Sequence, residues 1–120
     1  MNVEAGAVRT QYQARPGRQA VVVADLASLR GPSGGTVVLP GRLFWSPAGR
    51  RWDLDDPDMV LAMYETVLQE AVSAEELASY LNVAQLIAAW QHLFLPKGVR
   101  QAWEEHHLVL RALGAAATAA

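Results

Sequence analysis

A chain of 120 residues, 52% hydrophobic and 18% charged, has the make-up of one globular domain and not of a disordered segment. No apolar run approaches the roughly 20 residues a bilayer crossing needs, and residues 1–20 hold no signal-peptide core, so a cytoplasmic location is expected. The absence of cysteine excludes disulfides, thiolate zinc sites and thiol catalysis.

The net charge of −2 hides a split. Residues 1–52 carry seven arginines against two acids, a net +5, and residues 53–120 carry three bases against ten acids, a net −7. Either the two halves neutralise each other on folding, or the split marks a charged partner.

Residues 1–19 show no apolar period and read as an irregular arm, with Tyr12 pinning it to the body. Its Arg9, Arg15 and Arg18 are the candidates for contact with a nucleic-acid backbone. Residues 20–55 read as a sheet half. Ala20 to Ala24 is a short β-branched run, as in a buried strand, and Asp25 to Leu29 can close one helical turn. A glycine-rich loop, residues 31–35, follows. Thr36 to Leu39 is a strand that Pro40-Gly41 interrupts and Arg42 to Ser46 continues. Pro47-Ala48-Gly49 turns the chain, and Arg50 to Leu54 pairs back as a hairpin, with Trp52 and Leu54 on one face and Arg51, Asp53 and Asp55 on the other.

Residues 56–113 read as a helical half. Asp56 before Pro57 is an N-cap followed by proline at the first helical position, where no N–H is missed. Val60, Met63, Tyr64, Val67, Leu68 and Ala71 make one apolar face. Ser73 with Glu76 forms a capping box, with Val72 and Leu77 as its hydrophobic staple. A short second helix reaches Leu81, and Asn82 breaks it. Val83, Leu86, Ile87, Trp90 and Leu93 or Phe94 give a third face, which Leu95-Pro96 ends. Val99, Ala102, Trp103, His106, Leu110 and Leu113 make a last stripe, placing His106 in the core, and residues 114–120 follow as a tail. Strands first and helices after predict an α+β domain: a small N-terminal antiparallel sheet of three or four strands packed on about four short helices.

Among sites, Asp53 and Asp55 on one strand end are the weak candidates for a hard cation. Gly34-Gly35-Thr36 ahead of Asp53-Leu54-Asp55 has the outline of a nucleotidyltransferase turn and acidic strand, but the segment after Gly35 reads as strand where that chemistry needs a helix. An Asp56-centred helix cap accounts for the same acids. His92, His106 and His107 fit no zinc-binding spacing, and no serine, histidine and acid set carries a nucleophile motif. Four tryptophans are many for this length. Trp45, Trp52, Trp90 and Trp103 either join sheet to helices or anchor a partner, and Arg50 and Arg51 beside Trp52 strengthen the second option.

The strings LASLRGPSGG, LPGRLFWS, WDLDDPD, YETVLQEA and LFLPKGVRQAWEEHH span most of residues 20–107. They resemble a family of small, uncharacterised actinobacterial proteins that neighbour nucleotidyltransferase-type abortive-infection toxins. The resemblance implies an antitoxin or accessory role with such a toxin as partner, and it carries no catalytic residue across.

The leading expectation is a non-enzymatic protein–protein interaction module without a cofactor, with self-association open as well. The alternatives are a nucleic-acid-binding regulator acting through the N-terminal arginines and a metal-dependent nucleotidyltransferase-like enzyme at the aspartates.

Overall fold

The computed structural model describes residues 6–46 and 49–119. The fold is α+β, as expected. Six strands precede five α-helices: β1 (Ala7–Val8), β2 (Gln13–Arg15), β3 (Arg18–Gln19), β4 (Val22–Val23), β5 (Thr36–Val38), β6 (Arg51–Asp53), α1 (Pro57–Glu70), α2 (Ala74–Tyr80), α3 (Val83–Ala89), α4 (Lys97–His106) and α5 (Leu108–Ala119). No helix among the described residues is long and apolar enough to cross a membrane.

The helical half follows its local signals. Asp56 caps α1 by accepting from the Asp58 N–H at 3.0 Å, and Val60, Met63, Tyr64, Val67 and Leu68 form its buried face. Ser73 accepts from the Glu76 N–H at 3.2 Å to start α2. The return bond differs from a capping box: Glu76 takes the Val72 N–H at 2.8 Å, one residue earlier than expected. Val72 is exposed, so no staple closes over Leu77. Asn82 does more than break the chain. Its side chain accepts from Gln85 N at 3.1 Å and caps α3, while its own N–H donates to the buried Tyr64 hydroxyl at 2.9 Å.

Two helix boundaries depart from expectation. A 3-10 turn, Trp90–His92, ends α3 and changes the helical phase, so Leu93 is buried while Phe94 is 86% exposed. The expected last helix is two helices. The chain is extended at His107, and α5 then runs through Gly114 to Ala119, where a tail was expected. The break exchanges the histidines: His107, not His106, is the buried one, and its Nε2 donates to the Val23 carbonyl at 2.8 Å.

The sheet half departs further. In place of one sheet it holds three two-stranded antiparallel ladders, β1–β4, β2–β3 and β5–β6. The supposed arm supplies half of the first ladder and all of the second, with Ala7 opposite Val23 and Gln13 opposite Gln19. Gly98 shows how closely this segment is seated: a Cβ there would fall 2.0 Å from the Gln13 carbonyl oxygen, so α4 presses on β2 through bare backbone. Arg42 to Ser46 is not a strand. The chain turns at Pro40, whose carbonyl accepts from Leu43 and Phe44, and β5 pairs directly with β6, Val37 opposite Trp52. The expected turn at Pro47-Ala48 lies outside the described residues.

One core joins the halves. Val22, Val23, Trp52 and Leu54 from the strands lie in a single buried cluster with Met63, Leu77, Leu86, Trp90, Trp103 and Leu110 from the helices. The Arg30 and Gly31 N–H groups donate to the Ala78 and Leu81 carbonyls, closing the end of α2 with backbone from the sheet half. Side chains cross the same seam. Arg15 pairs with Glu70 at 3.0 Å, Arg30 with Glu75 and Arg42 with Glu76, and Arg18 donates to the Glu70 carbonyl at 2.5 Å, at the negative end of α1. Much of the charge split is therefore neutralised inside the fold.

Candidate interaction surface

The tryptophans separate into two groups. Trp52, Trp90 and Trp103 are at most 2% exposed, so the folded surface does not offer them to a partner. Trp90 donates its indole N–H to Glu104 at 2.9 Å and lies 6.4 Å from Trp103 between ring centres. Trp45 is 73% exposed.

The chain leading into Trp45 is packed against the body. Leu39 and Leu43, on either side of the Pro40 turn, are buried. Arg42 reaches across to Glu76, a carboxylate that is itself buried. Phe44 packs edge-on against Trp52, with centroids 5.2 Å apart and planes at 78°. Leu39, Leu43 and Phe44 are thus packed, and the side chain that follows them stands out in water. Leaving an indole in water forgoes roughly 2 kcal/mol of burial, which covering it in a complex would recover.

The cations beside it have different roles. Arg50 lies over Trp52 at 4.3 Å and Phe44 at 5.6 Å, a cation–π contact that fixes its position, and its Nη2 is 3.7 Å from the Met59 sulfur. Arg51 and its ladder partner Val38 are both exposed. Thus Trp45, Arg50, Arg51 and Val38 sit on one short hairpin and its loop. Sequence reasoning singled out the first three and missed Val38. Its alternation with Val37 gave a usable signal, but the wrong strand pairing concealed it.

The aspartates are used locally. Asp53 accepts from the Asp55 N–H at 2.9 Å, Asp56 caps α1, and Asp55 takes the Gly35 N–H at 3.4 Å. No group of three or more metal-binding side chains occurs among the described residues, and Asp53 and Asp55 are not brought together with a third ligand there. The glycine turn does return beside Asp55, but strand β5, not a helix, follows it.

Asp55 has a second setting. With Pro57, Val60, Gln85, Ala88 and His92 it borders a mainly apolar cavity of about 360 Å³, open between the end of β6, the start of α1 and α3. A larger hollow, about 680 Å³, lies along α4 and α5. Its central cation is already committed: Arg100 bonds the Trp90 and Leu93 carbonyls, pairs with Glu104 and lies 4.8 Å from the Trp90 ring.

The nucleic-acid candidates do not form a common patch. Arg15 and Arg18 converge on Glu70 and are occupied there, whereas Arg9 is exposed beside Thr10, Gln11 and Gln19. Two groups have shifted acidities. Burial pushes the Tyr64 hydroxyl above its ordinary 10.0, against the Asn82 N–H that it accepts. Burial also holds His107 below its ordinary 6.5, with His106 acting in the same direction and the Val23 carbonyl and Asp25 opposing. Neither group borders the cavity at Asp55 or the Trp45 loop. No family model, curated protein or solved structure matches the chain.

Proposed function

We propose that this chain is a non-enzymatic interaction module that binds another protein through Trp45, Arg50, Arg51 and Val38. The observation that carries the reading is Trp45, 73% exposed directly after Leu43 and Phe44, which pack into the fold. Tryptophan and arginine dominate the small set of residues that supply most binding energy at protein interfaces. The resemblance in residues 20–107 suggests a nucleotidyltransferase-type toxin as the partner and an antitoxin or accessory role for this chain.

The test is co-purification from the native host. The tagged wild-type chain should retain a protein encoded beside it, and Trp45→Ala should release that protein while keeping the wild-type circular dichroism. Recovery of the wild-type chain alone, or equal retention by Trp45→Ala, would refute the reading. The nucleic-acid alternative keeps one supporting feature, since an exposed indole flanked by arginines also stacks on unpaired bases. A mobility shift with single-stranded DNA or RNA at low salt, lost steeply as salt rises, would favour it.

A further inference from the structure

The glycine-rich loop, residues 31–35, and the acids that start at Asp53 take no part in the Trp45 surface, yet they meet at one recess. This is the cavity of about 360 Å³ between the end of β6, the start of α1 and α3. Its walls are apolar: Leu54, Pro57, Val60 and Leu61 from the β6–α1 segment, Ala88 and Ala89 from α3. Small-molecule sites usually span about 300–1,000 Å³, and a volume near the lower end suits one ring or branched chain.

The glycine-rich loop seats the polar groups of the recess. Gly35 donates its N–H to the Asp55 carboxylate at 3.4 Å, and a Cβ on Gly34 would fall 2.9 Å from the same Oδ1, so the bare backbone there leaves the carboxylate its room. The Ser33 carbonyl takes the Gln85 Nε2 at 2.5 Å, which leaves the Gln85 Oε1 to accept. On α1, Glu65 lies one turn beyond Leu61 and accepts the Phe94 N–H at 2.7 Å. That bond fastens the α1 wall to the chain that follows α3 and its 3-10 turn.

The chemistry of the rim selects the ligand. A carboxylate only accepts, the amide oxygen of Gln85 accepts beside it, and a neutral imidazole at His92 adds one acceptor nitrogen. Asp53, Asp56 and Asp58 are exposed on the same segment as Asp55, and none of the ion pairs among the described residues engages any of these four acids. Their charge outweighs the roughly half a positive charge at the start of α1. An anion is repelled here, and a neutral ligand leaves the carboxylate without a charged donor. An ammonium group on an apolar body answers both rim and walls. A lysine side chain would supply the cation, but its straight stem leaves most of the volume empty.

We propose that this recess is a binding site for a small organic amine, with a ring or branched body against Leu54, Val60, Leu61 and Ala88 and its ammonium group at Asp55. The site shares no residue with the Trp45 surface and stands or falls apart from that reading.

Phenethylamine is the probe, titrated into the full chain and followed by the amide resonances of Leu61, Gln85 and Ala88. Their shifts should saturate. Phenethyl alcohol has the same shape without the charge and should bind at least about tenfold more weakly, because it forgoes the charge-assisted bond. Nα-acetyl-lysine amide should be weaker by a similar factor, and hydrocinnamate should not bind. Asp55→Asn should bring the amine down to the level of the alcohol. Asp58→Asn removes an acid of the same segment that does not border the recess, and it should change amine binding by less than about twofold, since exposed charges at a distance are screened. Ala88→Leu narrows the recess from an exposed position and should weaken amine and alcohol alike. Circular dichroism checks that each variant is folded, and Asp55 and Asp58, both exposed, decide the matter if Ala88→Leu is not.

Shifts that rise without saturating would overturn the proposal. So would an alcohol or a lysine amide that binds as tightly as the amine, Asp55→Asn binding as the wild type does, or an equal loss in Asp58→Asn, which would reduce the effect to general negative charge.

Discussion

The two halves of this molecule use the same residue types under different rules. In the helical half, side chains act on their own helix: Asp56, Ser73 and Asn82 each cap the segment that follows them. In the sheet half they act at a distance. Its strands are two or three residues long and pair only two at a time, which is too little to stand alone in water. Arg15, Arg18, Arg30 and Arg42 instead fasten them to α1 and α2. The helical half is thus specified locally, and the sheet half takes its shape from what it rests on.

If that contrast holds, injury to the helical core should bring down both halves. Trp103 is fully buried against Trp90 and His107. Trp103→Ala should cost about 3–5 kcal/mol, the usual range for removing a large aromatic side chain from a core. Urea unfolding followed by far-UV circular dichroism and by the amide resonances of β5 and β6 should report one coincident transition at a lower midpoint. Two separated transitions would mean that the sheet half has a stability of its own.

The opposite injury strikes the seam. Gly98→Ala improves helix propensity by roughly 1 kcal/mol, yet its Cβ meets the Gln13 carbonyl. Backbone cannot swing aside as a flexible side chain does, so the overpacking cost of about 1–3 kcal/mol should dominate. The variant should unfold at lower urea and expose the amides of β2 to hydrogen exchange before those of α1. A stabilised variant would show that residues 13–15 contribute nothing to the fold.

The contrast also explains what the sequence made legible. Asp56-Pro57 and Ser73 with Glu76 set helix starts through contacts a few residues long, and those starts were readable, whereas the end of the third helix, read at Leu95-Pro96, falls earlier, at the 3-10 turn Trp90–His92. The two faces of Arg51 to Leu54 were readable as well, because alternation is local. The pairing of β1 with β4 was not, since Ala7 and Val8 carry no period of their own and become a strand only against Val22 and Val23. The break at His107 was hidden for a similar reason: the apolar spacing runs across it, and only the Val23 carbonyl accounts for a buried imidazole there. At the candidate surface, Trp45, Arg50 and Arg51 were legible as types. Which indole stays outside depends on the Pro40 turn and on Arg42 finding Glu76, a contact across 34 positions that no local pattern signals.

His107 offers a finer probe of the seam, because it ties the α4–α5 break to β4. Burial lowers its proton affinity in the folded chain, so the unfolded chain binds the proton more readily. Its contribution is complete above its unfolded value of about 6.5 and is lost as pH falls through the lower folded value. The urea midpoint of the wild type should therefore drop as pH falls below about 6.5, and His107→Gln should flatten that dependence. An unchanged slope in the variant would place the pH sensitivity elsewhere. His92 is exposed and is not among the groups that act on His107, so His92→Gln is the control.

The smallest expected effect on stability belongs to Trp45, and there the contrast between fold and surface is sharpest. Trp45→Ala should change the unfolding free energy by no more than about 0.5 kcal/mol, as for an ordinary surface change. The same substitution should remove association. Trp52→Ala makes the converse case: its indole holds Arg50 and Phe44 in place, so it should lose stability and association together. Measuring both variants for midpoint and for association separates a residue that builds the surface from one that meets the partner. If Trp45→Ala lost several kcal/mol, the indole would belong to the core and not to the surface that meets a partner.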